Sequence, residues 1–148
     1  MSERIKALYQ DHILKKSKDQ THYGPLAEAT HLIQAYNPLC GDQFKIYLKV
    51  EHDHIVEARF EGFGCAISKA STALFAELLS GLSINDAKEL VDKYLKLVDS
   101  QSKEAPHSLF EEDRLLAFAA AREFPERKTC AELSWKAVAD DLLSKIDV

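Results

Sequence analysis

Three cysteines and one aspartate are the residues of this chain best suited to chemistry. Cys40, Cys65 and Cys130 are an odd set of three, widely spaced and without a Cys-x-x-Cys pair. They cannot all enter a closed disulfide framework, and spacing alone is a weak metal signature. Cys40 lies in Asn37-Pro38-Leu39-Cys40-Gly41-Asp42, where Asn-Pro and Gly favour a sharp bend. Cys40 and Asp42, two residues apart, can project from one side of an extended turn and offer a divalent ion two anionic ligands. Cys65 lies in Gly62-Phe63-Gly64-Cys65-Ala66-Ile67-Ser68, at a strand-to-helix junction. The unpaired N–H groups and dipole of a helix start favour a thiolate there. Gly62 and Gly64 let the backbone turn and leave space near the sulfur. Cys130 falls near another helix start, with Arg127 and Lys128 close by, and both features again favour thiolate.

Taken singly, each position has a plain structural reading: Asp42 as an ordinary turn residue, Cys65 and Cys130 as small core residues. Together they carry more weight, because all three cysteines fall at turns or helix starts. If these junctions meet at one end of a sheet, three thiolates and one carboxylate make a tetrahedral zinc site. The same donors can hold an iron–sulfur cluster. A zinc hydrolase is disfavoured, since the chain has no His-Glu-x-x-His and four protein ligands leave no open position. The six histidines, His12, His22, His31, His52, His54 and His107, sit in polar or loop settings and are expected to face solvent.

The elements that must position these residues follow from periodicity. Ser2 can cap a first helix running to about Lys16, with Ile5, Leu8, Tyr9 and Ile13 on one stripe. A polar loop ends in Gly24-Pro25, and a short strand is expected from Thr30 to Tyr36. Phe44, Ile46, Leu48 and Val50 alternate with polar neighbours, the pattern of a half-buried strand. A turn at His52-Asp53 leads to a second strand whose inward set is expected to be Val56, Ala58 and Phe60. Ile67, Ala70, Leu74 and Leu78 then keep helical spacing up to Gly81, a stop signal. Ser83 and Asp86 open the next helix, with Ala87, Leu90, Val91, Tyr94 and Val98 on its stripe. Ser100 to His107 reads as a loop. Ser108 and Glu111 form a second Ser-x-x-Glu box before an Ala-rich helix ending near Pro125. The last helix is expected from about Arg127, with Ala131, Trp135, Val138, Leu142 and Ile146 on one side and Trp135 in the core. Strands and helices segregate along the chain. The fold class is therefore α+β: a small antiparallel sheet of about three strands packed against helices.

The 148 residues suit a single domain, 1–148, long enough to fold without staples. The net charge of −5 argues against nucleic acid as a partner. No apolar run reaches the roughly 20 residues of a membrane span. Met1-Ser2-Glu3-Arg4-Ile5 lacks the apolar core of a signal peptide, so a cytoplasmic location, with reduced thiols, is expected.

Over nearly its whole length the chain resembles the SufU/IscU family, which includes the N-terminal domain of NifU. Asn37–Asp42 is similar to that family's Asn-Pro-x-Cys-Gly-Asp motif. Gly62–Ser68 is similar to its Gly-x-Gly-Cys-x-Ile-Ser motif, and Arg127–Trp135 to its Arg-x-x-Cys-Ala-x-Leu-x-Trp motif. The resemblance implies a SufE/NifU-like fold and a role in iron–sulfur cluster assembly, with Cys40, Asp42, Cys65 and Cys130 as metal ligands. It implies zinc, or alternatively iron or a [2Fe–2S] cluster. In the SufU branch, the cysteine at the position of Cys40 accepts persulfide sulfur from a SufS-like cysteine desulfurase, after a partner histidine replaces it on the metal. A downstream cluster scaffold is a further implied partner. Two features favour that branch: a long insert between Cys65 and Cys130, and Phe124–Thr129 in place of the Leu-Pro-Pro-Val-Lys chaperone-binding stretch and histidine of IscU. One feature departs from it: Thr129 stands where lysine is common in SufU proteins, leaving Arg127 or Lys128 as the neighbouring cation.

Overall fold

The computed structural model describes residues 3–39 and 41–143. A first helix, α1 (Glu3–Ser17), precedes three strands, β1 (His31–Asn37), β2 (Asp42–Glu51) and β3 (His54–Phe63), paired antiparallel in chain order. The cap expected from Ser2 and the inward position of Ile146 lie outside the described residues. After the sheet come α2 (Ala66–Leu79), α3 (Ile84–Leu97), the short α4 (Pro106–Leu109) and α5 (Asp113–Leu116), a 3-10 segment (Ala117–Glu123) and α6 (Pro125–Val138). The chain then widens into a π-type turn at Ala139–Leu143. Among the described residues, no helix is long and apolar enough to cross a membrane.

Alternation places Ile33, Ala35, Phe44, Ile46 and Leu48 on the inner face of the sheet, where α2 and α6 pack. β3 departs from the expected inward set. Val56 is exposed, and Ile55 is buried beside Ala58 and Phe60. The cause is a bulge: Lys49 faces Glu57 while Val50 faces Ile55, which leaves Val56 without an opposite residue. The extra residue shifts the alternation by one step, so Ile55 and Ala58 both point inward. His52 and Asp53 close the β2–β3 hairpin with φ of 52° and 62°, the left-handed pair of a tight two-residue turn.

α2 is buried almost all round, from Ala70 to Ala76, because it lies between α1, the sheet and α6. Its contact with α6 is partly polar. Ser71 Oγ donates to Ala131 O (2.6 Å) and accepts from Trp135 Nε1 (2.8 Å), and Thr72 meets Ser134 at 2.7 Å. The Tyr94 hydroxyl also donates to Ala131 O, at 2.7 Å, and burial holds its phenol well above the usual range. Trp135, fully buried, stacks on Phe75 and Tyr94 with interplanar angles of 15° and 6°. This block fixes α6 against α2 one residue from Cys130.

The two Ser-x-x-acid sequences behave differently. Ser83 caps α3, accepting from Asp86 N at 3.1 Å. Ser108 lies inside α4, where its hydroxyl donates to Ala105 O, and α5 begins at Asp113, its N-cap Glu112 making no side-chain cap bond. Ser83→Ala should therefore cost about 1 kcal/mol. Ser108→Ala should stay within about 0.5 kcal/mol, as exposed substitutions usually do; denaturant midpoints of the two variants compare them directly. The expected Ala-rich helix is mainly 3-10. Ala117–Ala121 are all buried and press close to α1, and Arg122 closes the segment by donating to Leu97 O (2.7 Å) and Lys96 O (3.0 Å) at the end of α3.

Candidate metal centre

Asp42 opens β2 and pairs across the ladder with Asn37, the last residue of β1. The turn between them is tied by two bonds: Gly41 N–H donates to Asn37 O (2.8 Å) and Leu39 N–H to Asn37 Oδ1 (3.1 Å). Gly41 has φ +76°, which glycine adopts without strain. Cys40 lies outside the described residues.

The Asp42 side chain points inward and is 1% exposed. Its Oδ1 accepts from Cys65 N–H at 3.0 Å, which ties the start of β2 to the start of α2. Its Oδ2 is buried and has no hydrogen-bond partner among the described residues. Cys65 is the N-cap of α2: its sulfur accepts from Ser68 N–H at 3.4 Å and lies 3.5 Å from Ser68 Oγ. Cys65 itself is exposed. Cys130, 8% exposed, sits in the second turn of α6.

The fold brings three of the four sequence-derived ligands together. One ligand atom from each of Asp42, Cys65 and Cys130 lies within 4.8 Å of the others. Donor atoms around a tetrahedral zinc ion stand about 3.3–3.8 Å apart, given bonds of about 2.0–2.3 Å. A contraction of about 1 Å would close the set on an ion. An unpaired, buried carboxylate oxygen costs on the order of 1–3 kcal/mol, which a cation would offset. Two thiols and a carboxylate suit zinc, and equally an iron–sulfur cluster. These residues fit such a group.

Gly64 makes the approach possible. A Cβ there would stand 2.6 Å from Asp42 Oδ1 and 2.4 Å from Ser68 Oγ. The space this glycine leaves is thus taken by the Asp42 carboxylate and by the hydroxyl of Ser68 in the first turn of α2, not by open room at the sulfur.

α1 supplies a residue that sequence patterning alone assigned to the core stripe. Tyr9 OH accepts from Arg127 at 2.6 Å, and the guanidinium lies over the Tyr9 and Phe124 rings, 5.6 and 5.0 Å from their centroids. Burial pushes the Tyr9 phenol up; Arg127 pulls it partly back, and the charges of Cys65 and Cys130 add to the rise. Arg127 therefore stands one helical turn before Cys130, held between α1 and the start of α6. Lys128 turns instead to Glu132, at 3.6 Å. Leu39, 92% exposed, precedes Cys40 in the sequence, and Phe63, 62% exposed, ends β3 just before the Cys65 junction. None of the histidines joins the three-residue cluster. His22, His31 and His12 are half-buried rather than fully solvent-facing, and His22 Nδ1 lies 3.3 Å from Ala58 O.

Residues 8–131 match the family model described as "NifU-like N terminal domain". The chain belongs to this family. Among NifU-like relatives, it is 31% identical to a Streptococcus pyogenes protein named iron–sulfur cluster assembly scaffold protein IscU, over 93% of this chain and 84% of that one. It is also 31% identical to the Bacillus subtilis protein named zinc-dependent sulfurtransferase SufU, over 90% of this chain and 88% of that one. The NifU-like fold appears as well in a solved structure from Fervidobacterium islandicum, described as a putative iron–sulfur cluster assembly scaffold for the SUF system. The two agree with a TM-score of 0.81 at 28% identity, over 90% of this chain and 96% of that one.

Proposed function

We propose that this protein serves iron–sulfur cluster assembly as a zinc-dependent sulfurtransferase, taking sulfane sulfur on Cys40 from a cysteine desulfurase. The observation that carries the reading is the convergence of Asp42, Cys65 and Cys130 within 4.8 Å, with the buried Asp42 Oδ2 left unpartnered. Cys40, two residues before Asp42 in the sequence, would complete a set of four. A bound zinc ion supplies the positive charge that keeps coordinating thiols deprotonated.

The chain separates holding from reacting. Asp42, Cys65 and Cys130 come from β2, the start of α2 and α6, elements packed into the core. Cys40 follows the exposed Leu39 in the sequence, outside these three elements. In the transfer, the Cys40 thiolate attacks the terminal sulfur of the desulfurase persulfide. A new S–S bond forms on Cys40, the donor's S–S bond breaks, and the desulfurase cysteine leaves as a thiolate, with no net oxidation. Leu39, Phe63 and Phe124 offer a protein partner an apolar rim around the centre. The likeness to SufU supports this reading.

A second reading is a scaffold that builds and hands on a [2Fe–2S] cluster; several relatives carry scaffold names, and a thiolate-rich set with one oxygen donor suits it. The two differ in colour and product. The sulfurtransferase purifies colourless, acquires a persulfide on the Cys40 peptide when given desulfurase and cysteine, and loses that label in Cys40→Ser. A brown protein that delivers a cluster to an apo-ferredoxin, with no persulfide on Cys40, would decide for the scaffold.

A further inference from the structure

Among the described residues, two buried side-chain polar atoms lack a hydrogen-bond partner: Asp42 Oδ2 and Asn37 Nδ2. They belong to facing residues, the first of β2 and the last of β1. Cross-strand partners project to the same face of a sheet. Asn37 and Asp42 are 5% and 1% exposed, so that face is the inner one, against which α2 and α6 pack. The Asn37 amide is not loosely placed. Its Oδ1 accepts from Leu39 N–H, which identifies the oxygen end and leaves Nδ2 as the unmet donor.

An unmet buried acceptor and an unmet buried donor, side by side, call for different partners. The carboxylate oxygen needs a cation. The amide needs an acceptor, and a coordinated sulfur keeps enough negative charge to accept an N–H bond. We propose that Asn37 is a positioning residue of the metal centre, its Nδ2–H donating to a sulfur of the metal-holding set. The inference rests on the metal reading given above. It adds a role for Asn37: orienting one sulfur and lowering its electron density, which tunes both metal retention and the ease with which a thiolate is released. Support of this kind around a metal usually changes affinity by about 10–100-fold when removed.

The test uses cobalt(II) as a spectroscopic probe in the full chain. Asn37→Asp keeps an oxygen for Leu39 N–H but removes the donor. Asn37→Ser is neutral, keeps a short oxygen for the same turn and cannot reach as far. In both variants the sulfur-to-cobalt charge-transfer bands should move to lower energy, because the sulfur becomes more electron-rich. Zinc affinity by chelator competition should fall about 10-fold or more. A merely structural Asn37 would change thermal stability and leave the bands in place. Unchanged bands and affinity in both variants, on a chain that binds cobalt, would overturn the donor assignment alone. A wild-type chain that takes up no cobalt would overturn the metal reading and this inference with it.

Discussion

Replacing Asp42 with alanine should lower metal affinity more than about 100-fold while leaving the metal-free fold nearly as stable as before. Losing a supporting residue around a metal costs up to about 100-fold, and a direct ligand should exceed that. The metal-free protein loses the bond from Cys65 N–H to Asp42 Oδ1, a net contribution of about 1 kcal/mol. It also sheds the unpaired Oδ2, whose burial costs about 1–3 kcal/mol. The two terms oppose each other, so the change in unfolding free energy without metal should stay under about 1.5 kcal/mol. Chelator competition, with denaturant melts of stripped and loaded protein, measures both quantities. A large loss of metal-free stability with metal affinity intact would mark Asp42 as a structural residue.

Gly62→Ala should be the most damaging single methyl in the region of the site, costing about 3 kcal/mol or more. Gly62 has φ +138°, and a Cβ there would stand 2.1 Å from Gln43 O and 2.8 Å from Phe44 Cα. Both obstacles are backbone atoms of the neighbouring strand, so no side-chain rotation relieves them. β3 would have to part from β2 three residues before Cys65, and the Tyr23 hydroxyl would lose its paired contacts to Gly62 N and O, each 3.2 Å. Gly41→Ala provides the contrast. Its φ is +76° but nothing lies within 4 Å of the added atom, so only the conformational cost of about 1–2 kcal/mol applies. Equal losses in the two variants, read from chemical denaturation, would contradict this account of the junction.

Much of the fold was legible because burial and alternation coincide in β2 and because Ser83 and Gly81 mark real helix ends. Two features were not. A bulge shifts the alternation without changing composition, so Val56 and Ile55 look interchangeable until the Lys49–Glu57 register is known. Ser108-x-x-Glu111 has the composition of a cap, yet Pro106 starts a turn of helix earlier and draws Ser108 inside it. At the site, turn and helix-start positions pointed to Asp42, Cys65 and Cys130, and the family resemblance gathered them with Cys40 into one set. Periodicity could not show that Tyr9 reaches over from α1 to hold Arg127, nor that Asn37 and Asp42 face each other with unmet polar atoms. Those are consequences of packing between residues far apart in sequence.

The most direct test of the centre is X-ray absorption at the zinc edge, with metal quantitation, on protein purified without added metal. The account predicts one ion per chain surrounded by three sulfurs and one oxygen, falling to two sulfurs in Cys130→Ser. A chain without bound metal, or an ion ringed by nitrogen and oxygen alone, would contradict it.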